Sequence, residues 1–248
     1  LGPSVGGLVI ATVGIAGCFF LNAMSFLALI FTLILMELPA WDGSARRVGL
    51  WKEINEGYQY LRSNSQMFAI VMLSYVVATV GAPYATFVPV FATNVLHVGP
   101  LGFGLLMSAP GVGAIAAGLW LASLGNLQPN PFWVCALTLG YGLFLALFAF
   151  SNIFILSLIF LVSVGFCFIA FRASINTSLQ SHTPPHLLGR VLSFFFMDRG
   201  LWSIGGLMLG SAASMIGIKS TVEIAAAICA GAASIVLFIF GKTRVRHA

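Results

Sequence analysis

The sequence predicts an all-α integral membrane protein, a bundle of about eight transmembrane helices, and three observations predict it. Of the 248 residues, 60% are hydrophobic and 7% charged, where a soluble domain carries about 25% charged residues; the mean hydropathy is +1.04. The apolar residues fall into runs, most of them near the ~20 residues that a helix needs to cross the hydrocarbon core. Glycines, prolines and charges gather between the runs. Backbone groups in lipid must be satisfied within the segment, and these runs are too long and too continuously apolar for barrel strands, so helices are expected. Eleven Lys and Arg with six Asp and Glu cannot coat a globule of this size. That excludes an ordinary soluble enzyme, a nucleic-acid-binding domain and a disordered tail. The net charge of +5 does not point to nucleic acid, because the basic residues do not cluster on one soluble face.

The runs, in order, are 2–14, 19–38, 67–92, 100–122, 132–150, 153–179, 191–216 and 220–241. The first is short: at 1.5 Å per residue it rises ~20 Å, less than the ~30 Å hydrocarbon core. Leu1 would lie inside the bilayer, and no charged n-region or cleavage site marks a signal peptide, so a piece of a longer chain is expected. The division that follows is 1–38, two helices ending one half-bundle; 39–66, a central loop; 67–241, a six-helix half-bundle; and 242–248, a tail. Within the loop, Trp51, Ile54, Tyr58 and Leu61 recur at helical spacing, with Lys52, Glu53, Asn55, Glu56 and Gln59 between them. That pattern fits a helix lying in the membrane interface, and a solvated linker is the alternative. In 67–92, Pro83 and Pro89 interrupt the helix near Gly81. Broken helices often line transport pathways, although a kink without a binding role gives the same sequence.

Charge placement sets the orientation. The connections 39–66, 123–131 and 180–190 and the tail from 242 hold eight Lys and Arg, Arg190 among them, whereas the connections on the other side hold only Lys219. Positive charge favours the cytoplasmic side, so the central loop and the C-terminus are expected there, in a multi-pass plasma-membrane protein.

Enzymatic constellations are not found. His182 and His186 are separated by Pro184 and Pro185, which prevent a shared helical face. Cys18, Cys135, Cys167 and Cys229 sit far apart in apolar runs, as buried thiols do. No cofactor or metal is expected, and no enzyme. What the sequence does offer is intramembrane charge. Arg172 precedes Gln180, at the start of a short loop, by eight residues, and Asp198 follows Arg190, at its end, by eight. Antiparallel helices joined there place both ~12 Å deep. An isolated charge at that depth is expensive, so the two should pair, either to fix helix register or to serve transport. Asp198 is the candidate proton carrier. Arg199 is adjacent, which leaves a second arginine for an anionic or polar substrate or for an acid elsewhere; both arginines are also near enough to the surface to snorkel. Small residues recur at helical spacing in Gly2–Gly6, in Gly206–Gly210 and in Ala109, Gly113 and Ala117, faces that permit close helix approach, either static or sliding.

Leu1-Gly2-Pro3-Ser4-Val5-Gly6-Gly7 resembles the G-P-x-x-G-G motif on the fifth helix of major facilitator superfamily exporters. F-L-N-A-M-S-F (20–26), E-G-Y-Q-Y-L-R-S-N-S (56–65), G-A-P-Y-A-T-F-V-P-V-F (81–91), G-F-G-L-L-M-S-A-P-G-V-G-A (102–114) and N-T-S-L-Q-S-H-T-P-P-H-L-L-G-R-V-L-S (176–193) continue the likeness in order. Together they resemble the branch of enterobactin exporters and macrolide-efflux proteins. The resemblance implies a twelve-helix fold of which this chain holds helices five to twelve, the first four being absent. It also implies a secondary active transporter that exports a small organic molecule, such as a drug, siderophore or metabolite, in exchange for protons by alternating access. By that likeness Tyr75, Thr79, Arg172 and Asn176 would stand near substrate, Asp198 and Trp202 beside them, and Gly2, Pro3, Gly6 and Gly7 in the antiport motif. Two departures stand out. The stretch L-A-S-L-G-N-L-Q-P-N (121–130) lacks the charged residues of the family's gating motif, and the Asp198–Arg199 pair is not part of its pattern. The alternative is a truncated membrane scaffold, or pseudogene product, that transports nothing.

Overall fold

The computed structural model describes residues 2–36, 50–125 and 131–245, with side chains over 14, 16–36, 51–125 and 132–240. Every regular element among them is helical. The chain divides into two units, Leu1–Leu50 and Trp51–Ala248.

The first unit holds α1 (Gly2–Ile34), interrupted at Gly14 with φ 75° and ψ 174°. A side chain would be strained in that conformation. Among the described residues, the two expected runs are therefore helical as far as Ile34 and meet at Gly14 rather than at the predicted connection 15–17. Ala16–Ile34 is long and apolar enough to cross a membrane, and nothing in its most apolar stretch is buried.

The second unit opens one residue into α2 (Leu50–Ser63). Its stripe divides: Leu61 is buried, whereas Trp51, Ile54 and Tyr58 are exposed. Gly57 faces inward, and a Cβ there would lie 3.1 Å from Arg190 Cβ and 3.2 Å from the Phe194 ring. Next, α3 (Ser65–Val76) is capped by Asn64, whose Oδ1 accepts from the Met67 N–H at 3.2 Å. The path continues through a π turn at Val77–Gly81, a 3-10 stretch at Ala82–Phe87, α4 (Val88–Val90) and a second π turn at Phe91–Val95. Pro83 and Pro89 explain the irregularity. Each lacks an N–H, and in a regular α-helix each ring would meet the carbonyl four residues earlier. Widened and tightened turns relieve both conflicts.

The remaining helices are α5 (Pro100–Ser123), α6 (Pro131–Phe150), α7 (Phe154–His182), α8 (Pro185–Phe196), α9 (Asp198–Ile216) and α10 (Ile218–Val245). Six segments among the described residues are long and apolar enough to cross a membrane: Ala16–Ile34, Ser65–Val95, Pro100–Ser123, Phe132–Phe150, Phe154–His182 and Ile218–Phe240. The expected run 191–216 is instead divided between α8 and α9 at Met197, which keeps helical dihedrals (φ −60°, ψ −21°). Asp198, Arg199 and Gly200 open α9 and lower its apolarity. The loop expected at 180–190 is also shorter, because α8 begins at Pro185, a residue suited to a first helical turn; Arg190 is therefore on a helix.

Close approach of backbones assembles the bundle. A Cβ at Gly113 would fall on the Val162 carbonyl, and one at Gly165 on the Pro110 backbone, so α5 and α7 touch without side chains between them. Gly142 meets the Ala226 carbonyl in the same way at 2.9 Å, joining α6 to α10. Ala109, Gly113 and Ala117 are all buried, so that stripe is an α5–α7 packing face. Gly206 and Gly210 would meet nothing within 4 Å; it is Gly205 that carries the α9 contact, against the Thr79 carbonyl. Tyr141, Phe148, Phe91, Phe171 and Phe195 fill the centre.

Candidate functional site

The site is built where α7, α9 and the irregular Ser65–Val95 span converge. On α7, Phe168 and Arg172 lie four residues apart and share a face; on α9, Asp198 and Trp202 do the same. Arg172 Nη1 donates to Asp198 Oδ2, and Nη2 to Oδ1 at 3.4 Å. The Asp198 side chain is fully buried and that of Arg172 is 22% exposed. Aromatic rings flank the guanidinium, Phe195 at 5.0 Å and Phe168 at 5.8 Å from their centroids. Such faces attract a cation. Asp198 also opens the first turn of α9. The expected pairing of Arg172 with Asp198 is therefore present.

One helical turn along, Phe168 and Trp202 become walls of a cavity of about 310 Å³. Its other walls include Tyr84, Tyr141, Leu106, Ala114 and Val164, and Ala82, Tyr84, Ala85 and Val88 bring the irregular segment to it. The ion pair and the cavity thus share two helices and one phenylalanine. Of the aromatic walls, only Trp202 stands out in the sequence. Tyr84, Tyr141 and Phe168 read as ordinary core aromatics, and no local signal separates them from the other apolar residues of their spans.

The remaining candidates are placed as follows. Tyr75 donates its hydroxyl to the Phe194 carbonyl at 2.5 Å, at the end of α8, so it braces the α8–α9 junction instead of offering a free polar tip. Thr79 bonds back to the Tyr75 carbonyl at 2.8 Å, which likewise satisfies its hydroxyl within the helix. Asn176, one turn from Arg172, keeps a buried Oδ1 with no hydrogen-bond partner. Arg199 is exposed and lies over the Phe196 ring at 5.2 Å. Pro83 is buried within the 3-10 stretch, and Pro89 is exposed in α4. Gly2, Pro3, Gly6 and Gly7 fall on α1, with side-chain surroundings outside the described residues. Arg190 bonds Glu56 and, at 3.3 Å, Glu53, tying α8 to α2, and the Tyr60 hydroxyl adds a bond to the His182 carbonyl at 2.7 Å. The sequence puts Arg190, Glu53 and Glu56 near one surface but does not reveal their contact. Among the described residues no three His, Cys, Asp or Glu side chains gather as a metal site would require.

Comparison with known proteins agrees with this architecture. Residues 1–247 match a family described as transmembrane secretion effector. The staphyloferrin A transporter of Staphylococcus aureus (strain NCTC 8325 / PS 47) is 25% identical over 228 residues, covering 90% of this chain and 56% of that protein. The enterobactin exporter EntS of Escherichia coli O81 (strain ED1a) is 27% identical over 226 residues, covering 87% of this chain and 51% of that protein. The chain therefore spans about half the length of these relatives. A match over residues 1–247, in a chain with six helices fit to cross a bilayer, makes this a multi-pass membrane protein that belongs to the transmembrane secretion effector family of the major facilitator superfamily.

Proposed function

We propose that the protein is a secondary active exporter of a small organic molecule, driven by proton exchange through alternating access, in the plasma membrane with its C-terminus in the cytoplasm. One observation carries this reading: a fully buried carboxylate pairs with an arginine one helical turn from a cavity. The relatives' names, a transporter and an exporter of small molecules, support the substrate class. The excess of Lys and Arg in the connections 39–66, 123–131 and 180–190 and in the tail supports the orientation. In this reading 67–241 is one half-bundle, 1–38 belongs to the other, and the loop 39–66 joins them on the cytoplasmic face with α2 in the membrane interface. The exposed side chains of Trp51, Ile54 and Tyr58 fit that location.

The coupling follows from the pair. While Asp198 is charged, it holds the Arg172 guanidinium between Phe168 and Phe195. A proton on Asp198 removes the attraction and frees the guanidinium, which is then drawn toward polar substrate or water. Phe168 is also a cavity wall, so movement of Arg172 would be felt in the cavity. Arg199, Asn176 and Trp202 serve substrate on the same side, whereas Tyr75 and Thr79 position the helices.

Asp198→Asn in the full-length protein, assayed as proton-driven efflux from membrane vesicles, should abolish the gradient-dependent component while the protein is made at normal levels. Unchanged efflux would remove Asp198 from the mechanism and favour a pair that only fixes helix register.

A further inference from the structure

We propose that α2 is a latch set by the charge on Asp198: loss of the Arg172–Asp198 pair is carried along α8 to the clasp of Arg190 on Glu53 and Glu56, and α2 loosens. The proposal rests on the export reading above and deepens it by naming a distant element that answers to the proton.

Arg190, Phe194 and Asp198 follow one another at four-residue intervals, and Met197 keeps helical dihedrals between α8 and α9. The three therefore share one side of a nearly continuous helical path, about 12 Å from end to end. Each meets a different element. Arg190 takes Glu53 and Glu56 of α2. The Phe194 ring packs against Tyr58 of α2, 6.5 Å between centroids, and its carbonyl accepts from Tyr75. Asp198 takes Arg172 of α7, whose guanidinium also lies 5.0 Å from the Phe195 ring of α8. Arg172 thus grips α8 and α9 together while Asp198 is charged. Around Asp198 the other groups that carry or can take charge are Tyr75, committed to the Phe194 carbonyl, and Arg199, which lies over Phe196. A proton on Asp198 therefore releases Arg172 first.

Two features make α2 sensitive to where α8 lies. The first is a close crossing. A Cβ at Gly57 would stand 3.1 Å from Arg190 Cβ and 3.4 Å from the Arg190 carbonyl carbon, so there is no slack between the helices to absorb a shift of α8. The second is a weak hold. The side chains of Arg190, Glu53 and Glu56 are 27%, 40% and 38% exposed, so water competes for the clasp, and ion pairs in that setting contribute little. Beyond it α2 keeps the Tyr60 hydroxyl on the His182 carbonyl and the buried Leu61, while Trp51, Ile54 and Tyr58 stay exposed. An element with so few buried contacts opens at small cost. A displacement of α8 that a glycine-packed helix would resist is enough to release this one.

The test is hydrogen–deuterium exchange of the purified full-length protein in detergent at one pH, read by mass spectrometry on peptides covering 52–62. Asp198→Asn keeps the shape and removes the charge, and it should speed exchange there about fivefold or more, the low end for coupled sites. Arg190→Gln opens the clasp directly and should speed exchange at least as much. Adding Asp198→Asn to Arg190→Gln should then change it by less than about twofold, because the latch is already open, whereas independent effects would multiply. Gly113→Ala parts α5 from α7 without touching α8 and should leave 52–62 within about twofold of wild type. Unchanged exchange in either single variant, effects that multiply in the double variant, or equal speeding by Gly113→Ala would each overturn the latch. If Asp198→Asn does not fold, Arg172→Gln with Asp198→Asn, which removes the pair without stranding a charge, takes its place. Failure here with proton-driven efflux intact leaves the export reading standing; a latch that behaves as described in a protein without such efflux overturns that reading alone.

Discussion

Two contact regions of the second unit hold their helices together by opposite means. Between α5 and α7, Gly113 and Gly165 let the backbones meet, and no polar side chain takes part in those approaches. Around the α8–α9 junction the contacts are polar: Arg172 with Asp198, and the Tyr75 hydroxyl with the Phe194 carbonyl. The helical path there is irregular too, with a tightened turn at Met197 and π and 3-10 stretches along Val77–Val95. The difference teaches where a membrane bundle stays fixed and where it can move. A glycine contact forms only at one register, because any shift puts atoms on the opposing backbone. An ion pair can be undone by a proton, and a hydrogen bond to a carbonyl beside a tightened turn can be exchanged for another. In the proposed mechanism the first region is a frame, and the second is the part on which a gradient would act.

Breaking one half of the polar region should have the largest effect. Arg172→Ala strands a buried carboxylate and should lower stability by about 3–5 kcal/mol, read as thermal unfolding in detergent. The double variant Arg172→Gln with Asp198→Asn should recover most of that loss without restoring proton-driven efflux. If the single variant unfolds like wild type, the two regions do not differ in the way described. Gly113→Ala comes next and sharpens the contrast. Its Cβ falls on the Val162 carbonyl, so α5 and α7 must separate, at a cost of about 1–3 kcal/mol. Tyr75→Phe is milder, about 1 kcal/mol for one hydrogen bond. Gly206→Ala, with nothing within 4 Å, should be mildest, changing stability by no more than about 0.5 kcal/mol. Equal effects of the two glycine variants would mean that both small-residue stripes are alike. Tyr75→Phe should also alter the rate of gradient-driven efflux more than Gly206→Ala does, because it loosens the junction itself.

Much of this is legible in the sequence. Arg172 and Asp198 stand at equal distances from a short loop, which puts them together because charge in lipid has few other options. Pro83 and Pro89 announce a broken helix, since proline's missing N–H acts locally whatever surrounds it. Other features stay open in the sequence. Tyr75 and Thr79 read as polar tips that either satisfy a helix contact or stand near substrate, and which carbonyl lies opposite each hydroxyl is seen only in the structure. The run 191–216 reads as one helix, and the structure only tightens it at Met197, which keeps helical dihedrals.

The sequence by itself determined that this is a helical membrane protein, roughly where its spans lie, and which charges they must hide. All of these follow from the bilayer as a solvent, which forces each segment to satisfy its own backbone and makes each charge conspicuous. Only the tertiary structure decided that Gly113 packs while Gly206 stays open, that Arg190 clasps Glu53 and Glu56, and that Tyr141 packs against Gly81. The physical reason is that lipid and protein interior are equally apolar. A soluble helix marks its buried face by hydrophobicity, but a membrane helix is apolar almost all round, and away from its few polar groups the side that meets a neighbour or lipid is settled by shape.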